Sequence, residues 1–418
     1  MKKWGIFLTL LLMFSFVLPG AQATNNNNSF EHRQNFKTGF ERLLDQEMSV
    51  LKGKNVGLIT NPTGIDRSLN SIVDVLYNHP DIELKALYGP EHGVRGSAQA
   101  GQYVEFYTDS KTGLPVYSLY GATKKPTPEM LEGIDVLVFD IQDVGTRFYT
   151  YIYTMAYAME AAKENNIPFV VLDRPNPLGG EQVEGPVLDQ AYSSFVGLYP
   201  IPLRHGMTVG ELANLFNEEF GIGADLKVVE MKGWKRSWAY EDSGLEWVLP
   251  SPNMPTKDTA LVYPGSALIE GTNVSEGRGT TKPFELIGAP FINGDELAKK
   301  LNDEALPGVK FRSASFIPAS SKHAGKLSHG VEIHVTDGQL FQPVLTGITL
   351  VKAIHDLYPN DFQFRAEDSK GISFFDLLVG NGWVRDYIES GRSVDEIVSR
   401  YNDELEEFKE LRAQYLMY

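Results

Sequence analysis

Along the first two-thirds of the chain, short apolar runs alternate with segments of helical spacing. "NVGLIT" (55–60) reads as a strand, and "SLNSIVDVLYNH" follows with helical periodicity. "LKALYG" (84–89) is strand-like again, and "DVLVFDIQD" (135–143) is the clearest buried strand. "YIYTMAYAMEAAKENN" reads as a helix, and "PFVVLD" (168–173) as the next strand. Continuous apolar strands separated by helices describe βαβ units, and so a parallel sheet covered on both faces. The expected fold class is α/β, with a Rossmann-like, doubly wound domain.

The middle of the chain is richer in Pro, Gly and aromatic residues. "LYPIPLRHGMTVGELANLF" reads as a loop running into a helix with Thr208 as N-cap. The stretch 247–285 reads as one long, mostly irregular tract, and tracts of that length in compact chains usually carry function. After about Ile287 the pattern changes. "KFRSASFIPA" and "GVEIHVTD" alternate like half-exposed strands, and "GITLVKAIHDLYP" is helical. Ser393 and Glu396 form a capping box ahead of an apolar stripe of Ile397, Tyr401, Leu405, Phe408 and Tyr415, which is core packing. A Rossmann-like domain over 36–287 and a smaller α/β domain over 288–418 are expected.

Ligands of open parallel sheets bind beyond the carboxyl ends of the strands. Each predicted strand end delivers polar residues among Gly and Pro: Asn61 after the first, Glu91, His92 and Arg95 after the second. Gln142, Asp143 and Arg147 follow the next, and Arg174 and Asn176 the last. Together they predict one shared cleft. In "YGPEHGVRG" (Tyr88–Gly96), glycines let the backbone turn tightly, and Glu91 can be held on a cleft floor where burial favours the protonated carboxyl. That state suits a general acid that protonates a leaving oxygen. A Glu91–Arg95 ion pair is the structural alternative, and His92 is either an orienting group or a satisfied structural histidine. Arg147 is a candidate anion clamp, with an internal Asp143–Arg147 pair as its alternative. "EGTNVSEGRGT" (Glu270–Thr280) adds Glu270, Asn273, Glu276 and Arg278, among them a candidate partner carboxylate for Glu91.

Composition narrows the classes. The formal charge of −16 speaks against a nucleic-acid or anionic-surface binder. No cysteine is present, so stability rests on packing and not on disulfides. The start of the chain has Lys2 and Lys3, an apolar run from Ile6 to Leu18 and Ala21-Gln22-Ala23, the layout of a secretory signal cut after Ala23. A flexible leader over 24–35 and a secreted, extracytoplasmic location are expected, with no stable membrane insertion after cleavage. There is no HExxH or cysteine metal pattern, no phosphate loop, no GxGxxG after the first strand and no GxSxG elbow. Neither a metal nor another cofactor is therefore expected.

The motifs "NPTG", "YGPEHGVRG", "FDIQDVGTRFYTY", "LDRPNPLGG", "PLRHGMTVGELA", "SPNMP" and "YPG…EGTNVSEGRGT" occur in order from about Phe36 onward. Together they resemble the bacterial exo-β-N-acetylmuramidase family of NamZ type. The resemblance implies a secreted glycosidase of peptidoglycan turnover that releases N-acetylmuramic acid (MurNAc) from the non-reducing end of glycan fragments such as MurNAc-GlcNAc. It also implies a Rossmann-like domain joined to a smaller one with the site between them, and it puts the catalytic acid at Glu91, the residue already reached from the strand ends. Such a substrate carries a lactyl carboxylate, which an Arg fork suits: Arg95, Arg147, Arg174, Arg204 or Arg278. Asn61, Gln142, Asn176 and Asn253 suit hydroxyl and amide contacts, His205 joins them as a binding residue, and Tyr88, Tyr149, Tyr151 or Trp247 can stack on a sugar face. Glu276 is the first choice for the second carboxylate, with Glu184, Glu270 and Asp143 behind it, unless the 2-acetamido group supplies its own nucleophile. A non-catalytic binding protein for wall amino sugars is the alternative from another class; an esterase or deacetylase fits less well.

Overall fold

The computed structural model describes residues 1, 35–96 and 106–418; the predicted signal and nearly all of the predicted leader fall outside the described residues. Among the described residues twelve strands are numbered in chain order. Seven form one sheet in the order β3-β4-β2-β1-β5-β6-β9. They are β1 (Asn55–Thr60), β2 (Glu83–Gly89), β3 (Tyr107–Thr108), β4 (Pro115–Ser118), β5 (Val136–Asp140), β6 (Phe169–Leu172) and β9 (Leu226–Val229). All pair in parallel except the edge strand β3, which runs antiparallel to β4. Helices such as Tyr151–Glu164 and Val209–Glu218 connect them. This is the Rossmann-like sheet that the apolar runs predicted. Every residue of β5 and β6 is buried, as strands covered on both faces require.

The strand order places the site. From the central β1 the chain moves to β2 on one side and later returns to β5 on the other. At such a switch the two outgoing loops diverge and leave a crevice beyond the strand ends. Ile59 pairs with Tyr88 and Thr60 with Asp140, so the loops after β1, β2 and β5 start at one level.

A short two-stranded pair, β7 (Glu184–Val187) and β8 (Pro202–Arg204), stands beside this crevice, and Thr146 bridges to Arg204. A second, antiparallel sheet is ordered β10-β12-β11, from β10 (Leu286–Ala289), β11 (Val309–Phe316) and β12 (Ser328–Val335). β12 is central and more deeply buried than simple alternation would make it. Thr208 and Ser393 both cap their helices through full capping boxes, as the sequence indicates.

The tract 247–285 departs from its expected irregularity, since Lys257–Ser266 is a helix. Pro264 and Gly265 read as breakers, but they sit in its last turn, against helix Pro343–Leu357. A Cβ built on Gly265 would lie 1.8 Å from the Pro343 carbonyl oxygen, and one on Gly347 2.3 Å from the Gly265 oxygen. The two backbones therefore touch, which only glycine permits. One continuous apolar core runs from Phe139 and Met155 under the large sheet to Ile287, Val331 and Ile348 beyond it.

Candidate active site

Glu91 follows β2 on the loop the sequence singled out. Gly93 N–H donates to the Pro90 carbonyl at 2.9 Å, and His92 adopts a left-handed φ of 74°. That backbone region is uncommon outside glycine, though histidine tolerates it better than most residues. His92 is buried, whereas Glu91 is half-buried and not on a fully buried floor. The Tyr120 hydroxyl lies near the Glu91 carboxyl: burial, and then the Glu91 charge, push Tyr120 up to about 12, so it keeps its proton.

The neighbouring loops are knitted to each other. The Asn61 side-chain oxygen accepts from the Thr63 amide at 2.9 Å and from its hydroxyl at 2.6 Å, and that hydroxyl oxygen accepts from Gln142 N–H at 2.9 Å. Asn61 Nδ2 and the Tyr151 hydroxyl both donate to the Pro250 carbonyl, which ties the 250 loop over the strand ends. Asp143 Oδ2 accepts from Gly145 N–H at 2.7 Å and lies 3.6 Å from His205 Nε2. His205 Nδ1 accepts from Met207 N–H at 3.2 Å, which leaves the hydrogen of a neutral ring on Nε2, facing Asp143.

Asp143 Oδ1, Gln142 Oε1 and His205 Nε2 are buried without a hydrogen-bond partner among the described residues. Each such atom costs about 1–3 kcal/mol unless something else satisfies it, and several together mark a place where a polar ligand belongs.

Tyr263, from helix Lys257–Ser266, joins the two halves of the site. Its ring meets Phe148, Tyr149 and Phe284 edge-on at 5.4, 5.7 and 4.7 Å. Burial raises its hydroxyl pKa; Glu270 raises it further, Arg278 opposes, and Glu91 and Asp143 add to the rise. Carboxylates from both sides of the molecule thus act on one hydroxyl. Tyr151 likewise feels Glu91 and Asp143 together, after burial as the main cause of its raised pKa.

On the far side, Arg278 binds Glu270 through Nε and Nη2, and its Nε lies 3.2 Å from Glu276. Its guanidinium stacks 5.3 Å from the centre of the Phe284 ring. Lys322 Nζ is 2.9 Å from Glu276 and donates to the carbonyls of Ile269 and Thr272. Burial pushes the Glu270 carboxyl up, with Arg278 opposing and Glu276 adding, and burial pulls the Lys322 ammonium down. Glu276, the first choice for second carboxylate, is held between two cations, while Asp143 shares its surroundings with Glu91.

Other predicted residues serve the frame. Arg95 bonds Asp109 and Asp74, not Glu91. Arg147 neither pairs with Asp143 nor faces the cleft: fully buried, it donates to the carbonyls of Pro186, Ile201 and Leu378. Burial lowers it to about 10. Arg174 forks onto Asp140, and Arg204 binds Glu184, Gln182 and the Leu178 carbonyl. Asn176 spans Met207 and Leu178, and Asn273 spans Asp361 and Gln363. Asn253 is half-buried in the turn closed by Met254 N–H and the Ser251 carbonyl. Trp247 donates to the Met254 carbonyl, and Tyr88 to that of Met130.

Three residues escaped the sequence reading. Tyr120 follows β4, so the strand-end rule finds it once that short strand is recognised. Tyr263 was hidden in the tract read as irregular. Lys322 arrives on the β11–β12 connection, where no local pattern marks it. Among the described residues, no group of three or more His, Asp or Glu side chains is placed to hold a metal ion, and no helix is long and apolar enough to cross a membrane.

A doubly wound sheet with carboxylates gathered at its strand ends beside an aromatic cluster offers the groups a glycoside hydrolase uses. The comparisons agree. Residues 56–258 match the family model "Exo-beta-N-acetylmuramidase NamZ, N-terminal" and residues 261–418 its C-terminal counterpart. Peptidoglycan beta-N-acetylmuramidase NamZ of Bacillus subtilis (strain 168) is 60% identical over 412 residues, covering 99% of this chain and 98% of that one. A crystal structure of a DUF1343 family protein from Bacteroides fragilis superposes with a TM-score of 0.85 at 42% identity, over 92% of this chain and 99% of that one. A second such protein from the same organism gives 0.76 at 35% identity, with the same coverage. The chain belongs to the exo-β-N-acetylmuramidase NamZ family, and it is a glycosidase with peptidoglycan muramidase activity.

Proposed function

We propose that the enzyme removes MurNAc one residue at a time from the non-reducing end of peptidoglycan glycan fragments, outside the cytoplasm, during cell-wall turnover. The observation that carries this reading is the placement of Glu91 on a tight strand-end loop, near Tyr120 and acting with Asp143 on Tyr151. Glu91 in its acid form gives its proton to the glycosidic oxygen as the C1–O bond breaks. Asp143, with Oδ1 left open, faces the positive charge that develops at the sugar. Water then adds at C1 and gives its proton to the Glu91 carboxylate, which yields free MurNAc, a chain shortened by one sugar and Glu91 again in its acid form. Gly145 N–H, bonded to Oδ2, holds Asp143 in orientation. The predicted signal over 1–23 supports export.

Mass analysis of digests of MurNAc-GlcNAc and of longer glycan chains tests the reading. Free MurNAc should accumulate, with the remaining chain losing sugars from one end. Internal fragments, or deacetylated products of unchanged length, would overturn it. Export is checked by sequencing the amino end of protein recovered from the culture medium, which should begin at Thr24; protein that stays in the cytoplasm with residues 1–23 intact contradicts it.

A further inference from the structure

Five arginines suit the substrate's carboxylate by residue type, and the structure separates them. Arg95, Arg174 and Arg204 are each spent on protein carboxylates and carbonyls, and Arg147 is fully buried on three carbonyls. Arg95, at 33%, and Arg278, at 24%, keep part of the side chain exposed, and in neither does Nη1 make a hydrogen bond among the described residues. Arg278, anchored on Glu270 through Nε and Nη2, stands apart by its position. It lies beside Tyr263, whose hydroxyl feels Arg278, Glu91 and Asp143 at once.

A guanidinium next to two carboxylates would ordinarily have little attraction left for a third. Lys322 changes that balance. Its Nζ pairs with Glu276 at 2.9 Å and donates to the Ile269 and Thr272 carbonyls, so it offsets the Glu276 charge. Glu270 and Glu276 are then balanced by Arg278 and Lys322, and Arg365 adds a further positive charge acting on Lys322. The corner is not acidic, and Arg278 offers an open donor edge at Nη1. Phe284, stacked on the guanidinium, fixes the plane of that edge.

We infer that Arg278 reads the lactyl carboxylate of the terminal sugar, with Lys322 as the counter-ion that keeps Arg278 attractive to an anion. This rests on the muramidase reading above and extends it to specificity: the Arg278 corner distinguishes an N-acetylmuramyl end from an N-acetylglucosaminyl end. The carboxylate sits on the 3-O-lactyl arm, away from C1, and Glu91 and Arg278 both act on the Tyr263 hydroxyl.

The test compares free MurNAc with its lactyl amide, by calorimetric binding, and the matching disaccharides by turnover. A hydrogen-bonded charge of this kind is worth about 10- to 100-fold in affinity. The wild type should bind and cleave the acid in preference to the amide by that factor. Arg278→Met should abolish the preference, chiefly through KM, and Arg278→Lys, which keeps the charge without the fork, should restore part of it. Lys322→Met should weaken binding of the acid and leave that of the amide unchanged. Equal handling of acid and amide by the wild type overturns the inference and leaves the muramidase reading intact; that comparison stands even if a variant fails to fold. A preference retained in folded Arg278→Met overturns it as well. A wild type that releases no MurNAc from either disaccharide refutes the muramidase reading, while the binding comparison still judges Arg278.

Discussion

At the scale of single residues, the site is bordered by buried charge that has been given specific partners. Asp173, at the end of β6, is wholly buried and accepts from the amides of Arg174 and Gly210 and from the hydroxyls of Thr208 and Tyr418. Burial outweighs these donors and pushes its carboxyl up to about 7, from an unfolded value of 3.8. Between those values the folded chain keeps the proton and the unfolded chain releases it. The contribution to stability is therefore fully present below 3.8, declines as pH rises, and levels off above about 7. Asp173→Asn stays neutral throughout. Melting temperatures of both proteins across this range should show the wild type losing ground to the variant as pH rises to neutrality. A constant difference would contradict a raised Asp173. The same residue scale explains why only part of the site was legible. Glu91, Asp143 and Arg278 announce themselves by residue type next to Gly and Pro. Which arginine is spent on a carboxylate depends on partners distant in the chain, such as Asp109 for Arg95 and Leu378 for Arg147.

At the scale of elements, β1, β2, β5 and β6 of the large sheet were readable because burial on both faces leaves uninterrupted apolar runs, whereas the outer strands β3, β4 and β9 were not. β4 is short and near the edge, and Tyr120 was lost with it. Helix Lys257–Ser266 was hidden by its own Pro264 and Gly265, since local propensity registers a breaker and not the neighbour that makes glycine necessary. That neighbour is helix Pro343–Leu357, and the contact carries Tyr263 into the site. Gly265→Ala should force the helices apart, lower stability by about 3 kcal/mol or more in chemical denaturation, and reduce turnover by moving Tyr263. Unchanged stability would mean that the two helices do not meet at Gly265.

At the scale of the whole molecule, the two sheets share one core, and the chemistry is divided between separate segments. The large sheet brings Glu91 and Asp143 to its switch point, the β7–β8 pair brings His205, and the stretch from helix Lys257–Ser266 to β10 brings Tyr263, Glu270 and Arg278. Arg147 binds the halves together by carrying its charge to the carbonyl of Leu378, near the end of helix Phe374–Val379. Such a division suits an enzyme that holds a terminal sugar by one arm and protonates its leaving group with another residue. The most direct test is Glu91→Gln on two substrates, the MurNAc-GlcNAc disaccharide and a MurNAc glycoside of a strongly acidic phenol. The phenol departs without a proton, and the disaccharide's leaving sugar does not. Cleavage of the disaccharide should fall about 10³-fold while bond breaking in the aryl glycoside is largely spared. Equal losses on both, or an unimpaired variant, would show that Glu91 is not the acid.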